Sequence, residues 1–175
     1  DTQYGPYIPD GYAVKGPRAH GYYHLEPIAS EFAVSGGTEG TDYRYDTTSH
    51  TLHILTAAPM TLSMAEGVTQ TTTDSIFVED GVSANLTLAG VKIDLSHTGE
   101  YSLGGGTGTP GVPAFQIADN SSGNVSLTLG AGTENTLRSG AGRAGLEKNS
   151  KESSGRLTIK GTGKTVKVTA VSQTS

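Results

Sequence analysis

Ile76-Phe77-Val78, then seven residues, then Leu86-Thr87-Leu88 is the stretch on which the fold turns. The same spacing stands 24 residues earlier as Leu52-His53-Ile54 with Leu62-Ser63-Met64, and 39 residues later as Phe115-Gln116-Ile117 with Val125-Ser126-Leu127. A looser fourth copy, Ala144-x-Leu146 with Leu157-x-Ile159, keeps both apolar pairs and widens the gap. Apolar residues at i and i+2 lie on one side of an extended strand, and no window sustains a helical period. Two strands per copy, recurring at intervals of about 20–50 residues, predict stacked repeats in which no copy buries its apolar side alone. The expected fold class is all-β: a single-stranded parallel β-helix, or solenoid, with Leu, Ile and Val laddered inside and Thr, Ser, Lys and Asp on the walls.

Composition agrees with a narrow core. Of 175 residues, 25 are glycine and only 34% are hydrophobic, and this length makes one domain the default. A net charge of −5 with twelve scattered basic residues argues against nucleic acid, because phosphate binding needs clustered Lys and Arg. Cysteine is absent, which removes disulfides and thiolate chemistry. No apolar run approaches the ~20 residues of a membrane helix, so no membrane insertion is expected. With neither an initiating Met nor a signal peptide, the chain reads as a mature secreted form or as a piece of a larger surface protein carrying other domains.

Residues 1–30 differ from the rest, holding five of the eight tyrosines. Two short strands around Gly16-Pro17 are expected there, as an N-terminal Tyr-rich cap or hairpin, with residues 31–175 forming the β-helix domain. A stack end exposes strand edges and an open core, so a cover is needed. A strand is expected at Tyr43–Tyr45. The shift from 24 to 39 places an insertion between Leu88 and Phe115, in the Gly-rich segment Ser96–Pro113. Either a binding loop or a plain surface excursion fits.

Asn85 and Asn124 fall at the same place in successive copies, which suits an amide ladder. Asp80 and Asp119 also coincide, each just after a strand. One reading is a turn residue accepting its own backbone N–H. The other is a carboxylate pair holding a cation, calcium, between coils.

Other motifs fail on context. Gly140-x-Gly142-x-x-Gly145 matches a dinucleotide fingerprint by letter, but no amphipathic helix follows. None of the histidines (His20, His24, His50, His53, His97) sits in a catalytic or zinc signature, and His53 between Leu52 and Ile54 points outward. Asp74, Glu79, Asp80, Asp94 and Asp119 would serve a lyase or hydrolase if they met on one coil face.

The stretch from Tyr43 to Ala170 resembles secreted bacterial carbohydrate-binding domain proteins of the right-handed parallel β-helix type, surface or adhesin modules of Gram-positive gut bacteria. The residues that carry the resemblance include Asn85-Leu-Thr-Leu88-Ala-Gly90-Val91, Thr133-Glu-Asn135-Thr136-Leu137, Ala144-Gly145-Leu146-Glu147-Lys148-Asn149 and Leu157-Thr-Ile-Lys-Gly161. It implies a right-handed β-helix, secretion or display at the cell surface, and a polysaccharide or host glycan as partner, with calcium in some members. It implies no site residue. The expected function is non-catalytic glycan binding or adhesion, with no enzyme activity. The alternatives are a structural spacer or fibre element, a polysaccharide lyase or hydrolase on a β-helix, and an ice-binding surface, for which Thr61, Ser63, Thr87 and Thr128 lack a strict T-x-T array. Tyr rings stack on sugar faces, so Tyr22, Tyr23 and Tyr101 are the candidate carbohydrate contacts.

Overall fold

The computed structural model describes residues 8–16, 23–100, 108–149, 154–162 and 167–173. The protein is all-β, and the described residues contain no helix. Among the described residues fifteen strands follow one another: β1 (Tyr12–Lys15), β2 (His24–Pro27), β3 (Phe32–Ser35), β4 (Tyr43–Asp46), β5 (Thr51–Ile54), β6 (Pro59–Met64), β7 (Ser75–Val78), β8 (Asn85–Leu88), β9 (Lys92–Asp94), β10 (Phe115–Ile117), β11 (Val125–Leu129), β12 (Glu134–Ala141), β13 (Leu146–Lys148), β14 (Leu157–Gly161) and β15 (Lys167–Gln173).

In the N-terminal stretch β1 and β2 pair antiparallel as a separate two-stranded sheet, while Pro17, in the turn expected between the strands, lies outside the described residues. The other strands form three sheets, ordered β4-β5-β7-β10-β13, β3-β6-β8-β11-β14 and β9-β12-β15. From β7 onward the chain visits these sheets in the same order three times, and every pairing among those strands is parallel. One round earlier, β5 and β6 lead to an isolated bridge between Thr72 and Ile93, so that round also touches the third sheet.

Each copy therefore has three strands, not two. The third strand carries no repeated apolar pair because its register row reads Thr72, Ile93, Leu137, flanked by buried Asn135 and Ser139. A polar residue at an inward position erases the alternation that a sequence pattern relies on.

The apolar pairs do stack. Leu52, Ile76, Phe115 and Leu146 are neighbours in register, as are Met60, Leu86, Leu127 and Ile159. Leu52, Ile76, Phe115, Leu86 and Leu127 are almost fully buried; each such side chain contributes about 1.5–3 kcal/mol of burial free energy.

The register corrects three expectations. Leu86 pairs with Met60 and Leu127 instead of Leu62 and Val125. Phe115 pairs with Leu146 instead of Ala144. Asn85 faces Ser126, so Asn124 lies outside any amide ladder. All are slips of two residues. A two-residue change in a corner preserves which side faces inward, so the apolar pattern cannot detect it.

The first two strands of the body run the other way. β3 pairs antiparallel with β6 and β4 antiparallel with β5, while Phe32 is buried in the core and Val34 and Tyr43 pack against it. At the corners the backbones come very close: a Cβ on Gly123 would sit 2.1 Å from the Val82 carbonyl oxygen. The insertion holds no strand among its described residues. Its ends are tied by Glu100 N–H to Thr109 O and by Gly111 N–H to Ala141 O, both 2.8 Å. The Gly140–Gly145 segment runs from strand β12 through a turn into strand β13, so it lacks the helix that a dinucleotide site needs.

Candidate functional site

On the sheet containing β5 and β7, the inward Leu52/Ile54 and Ile76/Val78 leave the alternate residues pointing out. The register places Arg44, His53, Phe77, Gln116 and Glu147 in one row across five strands. Phe77 is the odd member: an aromatic ring at a solvent-side position, only half-buried, between two buried aliphatics. The His53 ring lies against it at a centroid distance of 5.6 Å. Glu79 shares a 2.7 Å hydrogen bond with His53 Nδ1 and lies 3.7 Å from the Arg44 guanidinium. Gln116 makes no side-chain hydrogen bond among the described residues.

Next to this row lies a recess of about 100 Å³ lined by Thr51, Ser75, Phe77, Val112, Pro113 and Gln116. Thr51 and Ser75 share a 2.9 Å hydroxyl–hydroxyl bond in its wall. Val112 and Pro113 come from the end of the insertion, which thus borders the site. An apolar ring beside a guanidinium, a carboxylate and an unspent amide is a set suited to a sugar: the ring faces C–H groups, and the polar groups exchange hydrogen bonds with hydroxyls.

A second concavity of about 580 Å³ lies between the hairpin and the body, lined in part by Lys15, Glu26, Glu31, Tyr45, His50 and Asp74. Asp74 is buried and accepts hydrogen bonds from the Glu31 N–H at 2.8 Å and the Tyr45 hydroxyl at 2.9 Å. The single Tyr45 hydrogen is used there, so His50 Nδ1, 3.0 Å from the same oxygen, is the protonated nitrogen. Thr72 bridges the two acids, donating its hydroxyl to Glu31 while accepting from the Asp74 N–H. Desolvation, assisted by the Glu31 charge, raises the Asp74 carboxyl pKa against the pull of its hydrogen bonds and His50. Desolvation and the Asp74 charge push the Tyr45 phenol far above its ordinary range. These groups hold the reversal at β3 and β4 to the first parallel strands.

Tyr22 and Tyr101 lie outside the described residues. Tyr23 is 69% exposed, just before β2, and lines neither concavity. Asp80 and Asp119 do fall at one level, because Val78 pairs with Ile117. Both are exposed and precede left-handed residues, Gly81 at φ 72° and Asn120 at φ 58°. Calcium takes six to eight oxygens, and no group of three or more His, Asp or Glu side chains among the described residues is placed to hold a metal ion.

Three of the five acids named for a lyase or hydrolase take separate partners. Asp74 holds Tyr45, Glu79 holds His53, and Asp94 on β9 lies 3.4 Å from Arg138. The sequence reading named none of Phe77, Gln116 and Arg44 as a site residue; the signal for the first two is their outward strand position, whereas Arg44 joins them only through an antiparallel pairing that no repeat announces. No protein-family model matches the chain, and comparison with curated proteins and with solved structures gives no match.

Proposed function

We propose that this protein is a non-catalytic, extracellular glycan-binding or adhesion module built on a right-handed parallel β-helix, secreted or displayed as part of a larger surface protein. Support for the β-helix reading comes from the repeated sheet order and the parallel register that stacks the apolar pairs. The ligand is a polysaccharide or host glycan, and its contact surface is the Phe77 row.

The observation that carries the function is Phe77 itself. An aromatic at an outward strand position, partly buried and packed against His53, offers ring surface that the C–H groups of a sugar can contact. Around it Arg44, Glu79 and Gln116 supply a donor, an acceptor and an amide, and the sheet beneath fixes their separations. A site on strands is held more rigidly than one on loops.

The experiment is a glycan array followed by titration calorimetry on the full chain, with and without calcium, comparing wild type with Phe77→Ala. Glycan binding by the wild type and a loss of about tenfold or more in the variant is the expected result. The reading is overturned by an array with no response in either condition, or by a Phe77→Ala variant that binds as the wild type does.

A further inference from the structure

The sheet containing β6, β8 and β11 carries a different outer surface. The register sets Thr61, Thr87 and Thr128 side by side on adjacent strands, with Ser35 and Lys160 at the two ends of the row. Two residues earlier on the same strands, Pro59, Asn85, Ser126 and Thr158 form a second row, in which β6 contributes the proline. Adjacent strands lie about 4.8 Å apart and alternate residues along a strand about 6.8 Å apart, so the two rows form a regular grid of side chains that is polar except at Pro59.

None of these threonines, nor Ser126 or Asn85, spends its side chain on another described residue. On the sheet containing β5 and β7, by contrast, Thr51 and Ser75 bond to each other. Only Lys160 brings a charge to either row. β-branched threonine in a strand has one or two favoured side-chain rotamers, so the hydroxyls are already ordered and lose little freedom when a partner docks. One hydroxyl exchanging water for a ligand hydroxyl gains little. A periodic array gains only from a partner that is equally periodic, stiff and uncharged.

We propose that this wall is a second binding surface, distinct from the Phe77 site, and that its ligand is an ordered surface of extended, neutral polysaccharide. Such a polymer has a rise per sugar close to the strand spacing, so successive sugars meet successive strands along the Thr61–Thr87–Thr128 row. The surface is independent of whether Phe77 binds a soluble glycan.

The test is co-sedimentation of the full chain with microcrystalline cellulose and with crystalline chitin, using soluble polygalacturonate as the charged competitor. The variants are the triple Thr61→Val, Thr87→Val, Thr128→Val, which keeps shape and removes hydroxyls, and Phe77→Ala. Retention on at least one crystalline polymer, about tenfold weaker in the triple variant and unchanged in Phe77→Ala, is the expected result. Circular dichroism melting reports whether the triple variant is folded. If it is not, the single Thr87→Val is read in its place, with about a twofold loss expected. The proposal is overturned if neither polymer retains the wild type, if polygalacturonate displaces it, or if the hydroxyl-deleted variant is retained like the wild type. Thermal hysteresis in freezing solutions, lost in the same variant, would overturn it in favour of ice as the occupant.

Discussion

The Tyr45 hydroxyl donates a 2.9 Å hydrogen bond to the Asp74 carboxylate, joining the antiparallel strand β4 to the segment that enters β7. Asp74 also accepts the Glu31 N–H, so one buried side chain ties together three segments far apart in sequence. A buried acceptor that loses a partner keeps its desolvation cost. Tyr45→Phe is expected to lower the unfolding free energy by about 1–2 kcal/mol. Asp74→Ala, which also strands the Glu31 N–H, is expected to cost more, about 2–3 kcal/mol. Urea denaturation followed by circular dichroism reads both; equal midpoints for Tyr45→Phe and wild type would contradict the account.

The same acid sets a pH dependence. Desolvation raises the Asp74 pKa above 3.8 in the folded chain. The folded state then binds the Asp74 proton more tightly than the unfolded state does. The resulting stability is fully present below the unfolded value and is lost as pH rises through the folded one. Asp46 acts in the opposite sense: hydrogen bonds from the Thr48 and Ser49 N–H groups lower its pKa. At Asp94, desolvation is outweighed by the Ser96 bonds and Arg138, so that pKa is lowered too. Their contributions are present above the unfolded value and lost as pH falls. Asp74→Asn removes only the first slope. Between about pH 4 and pH 7, the wild type should therefore lose stability relative to Asp74→Asn. Urea midpoints at both pH values give the measurement, and a constant difference would refute it.

Asn135 is buried beneath the corner between β8 and β9. Its Oδ1 accepts the Gly90 and Val91 N–H groups at 2.9 and 2.8 Å. Asn135→Ala leaves two backbone donors without an acceptor where water has little access, for a loss of about 2–4 kcal/mol. Thr87→Ala, on the exposed wall, is expected to stay within about 0.5 kcal/mol of wild type. Chemical denaturation of the pair decides; equal effects would mean that the buried amide has no special part.

Gly123 stands where two corners touch. A Cβ there would lie 2.1 Å from the Val82 carbonyl oxygen and 2.5 Å from its carbon. Both are backbone atoms, so relief requires the strands to move apart. Gly123→Ala is expected to lower the melting temperature by more than Gly16→Ala, which meets nothing within 4 Å. Differential scanning calorimetry compares them, and a Gly123→Ala melting temperature equal to that of wild type would remove the close-approach argument.

Much of the fold was legible because burial writes itself into strands with a period of two. Leu52/Ile54, Ile76/Val78 and Phe115/Ile117 were placed on the same buried side before any pairing was known, and they pair with one another in that order. The second sheet was legible in side but not in register, since adding two residues to a corner changes no alternation. The third sheet was hidden by Thr72, Asn135 and Ser139 at positions where an apolar residue was required for recognition. Of the candidate site, Phe77 stood in plain view as an aromatic at an outward position. Its neighbours did not, because Arg44 and Glu79 come together only when β4 turns back against β5.

The sequence by itself determined that the chain is all-β, which residues face inward along β5, β7 and β10, and that an insertion interrupts the repeat between Leu88 and Phe115. These follow from local alternation, which needs no partner strand to be read. Only the tertiary structure decided the register, the antiparallel reversal of β3 and β4, the Asp74 network and the rows of Phe77 and Thr87. Each of those is a relation between strands, and hydrogen bonds between backbones carry no trace in the order of side chains along one of them.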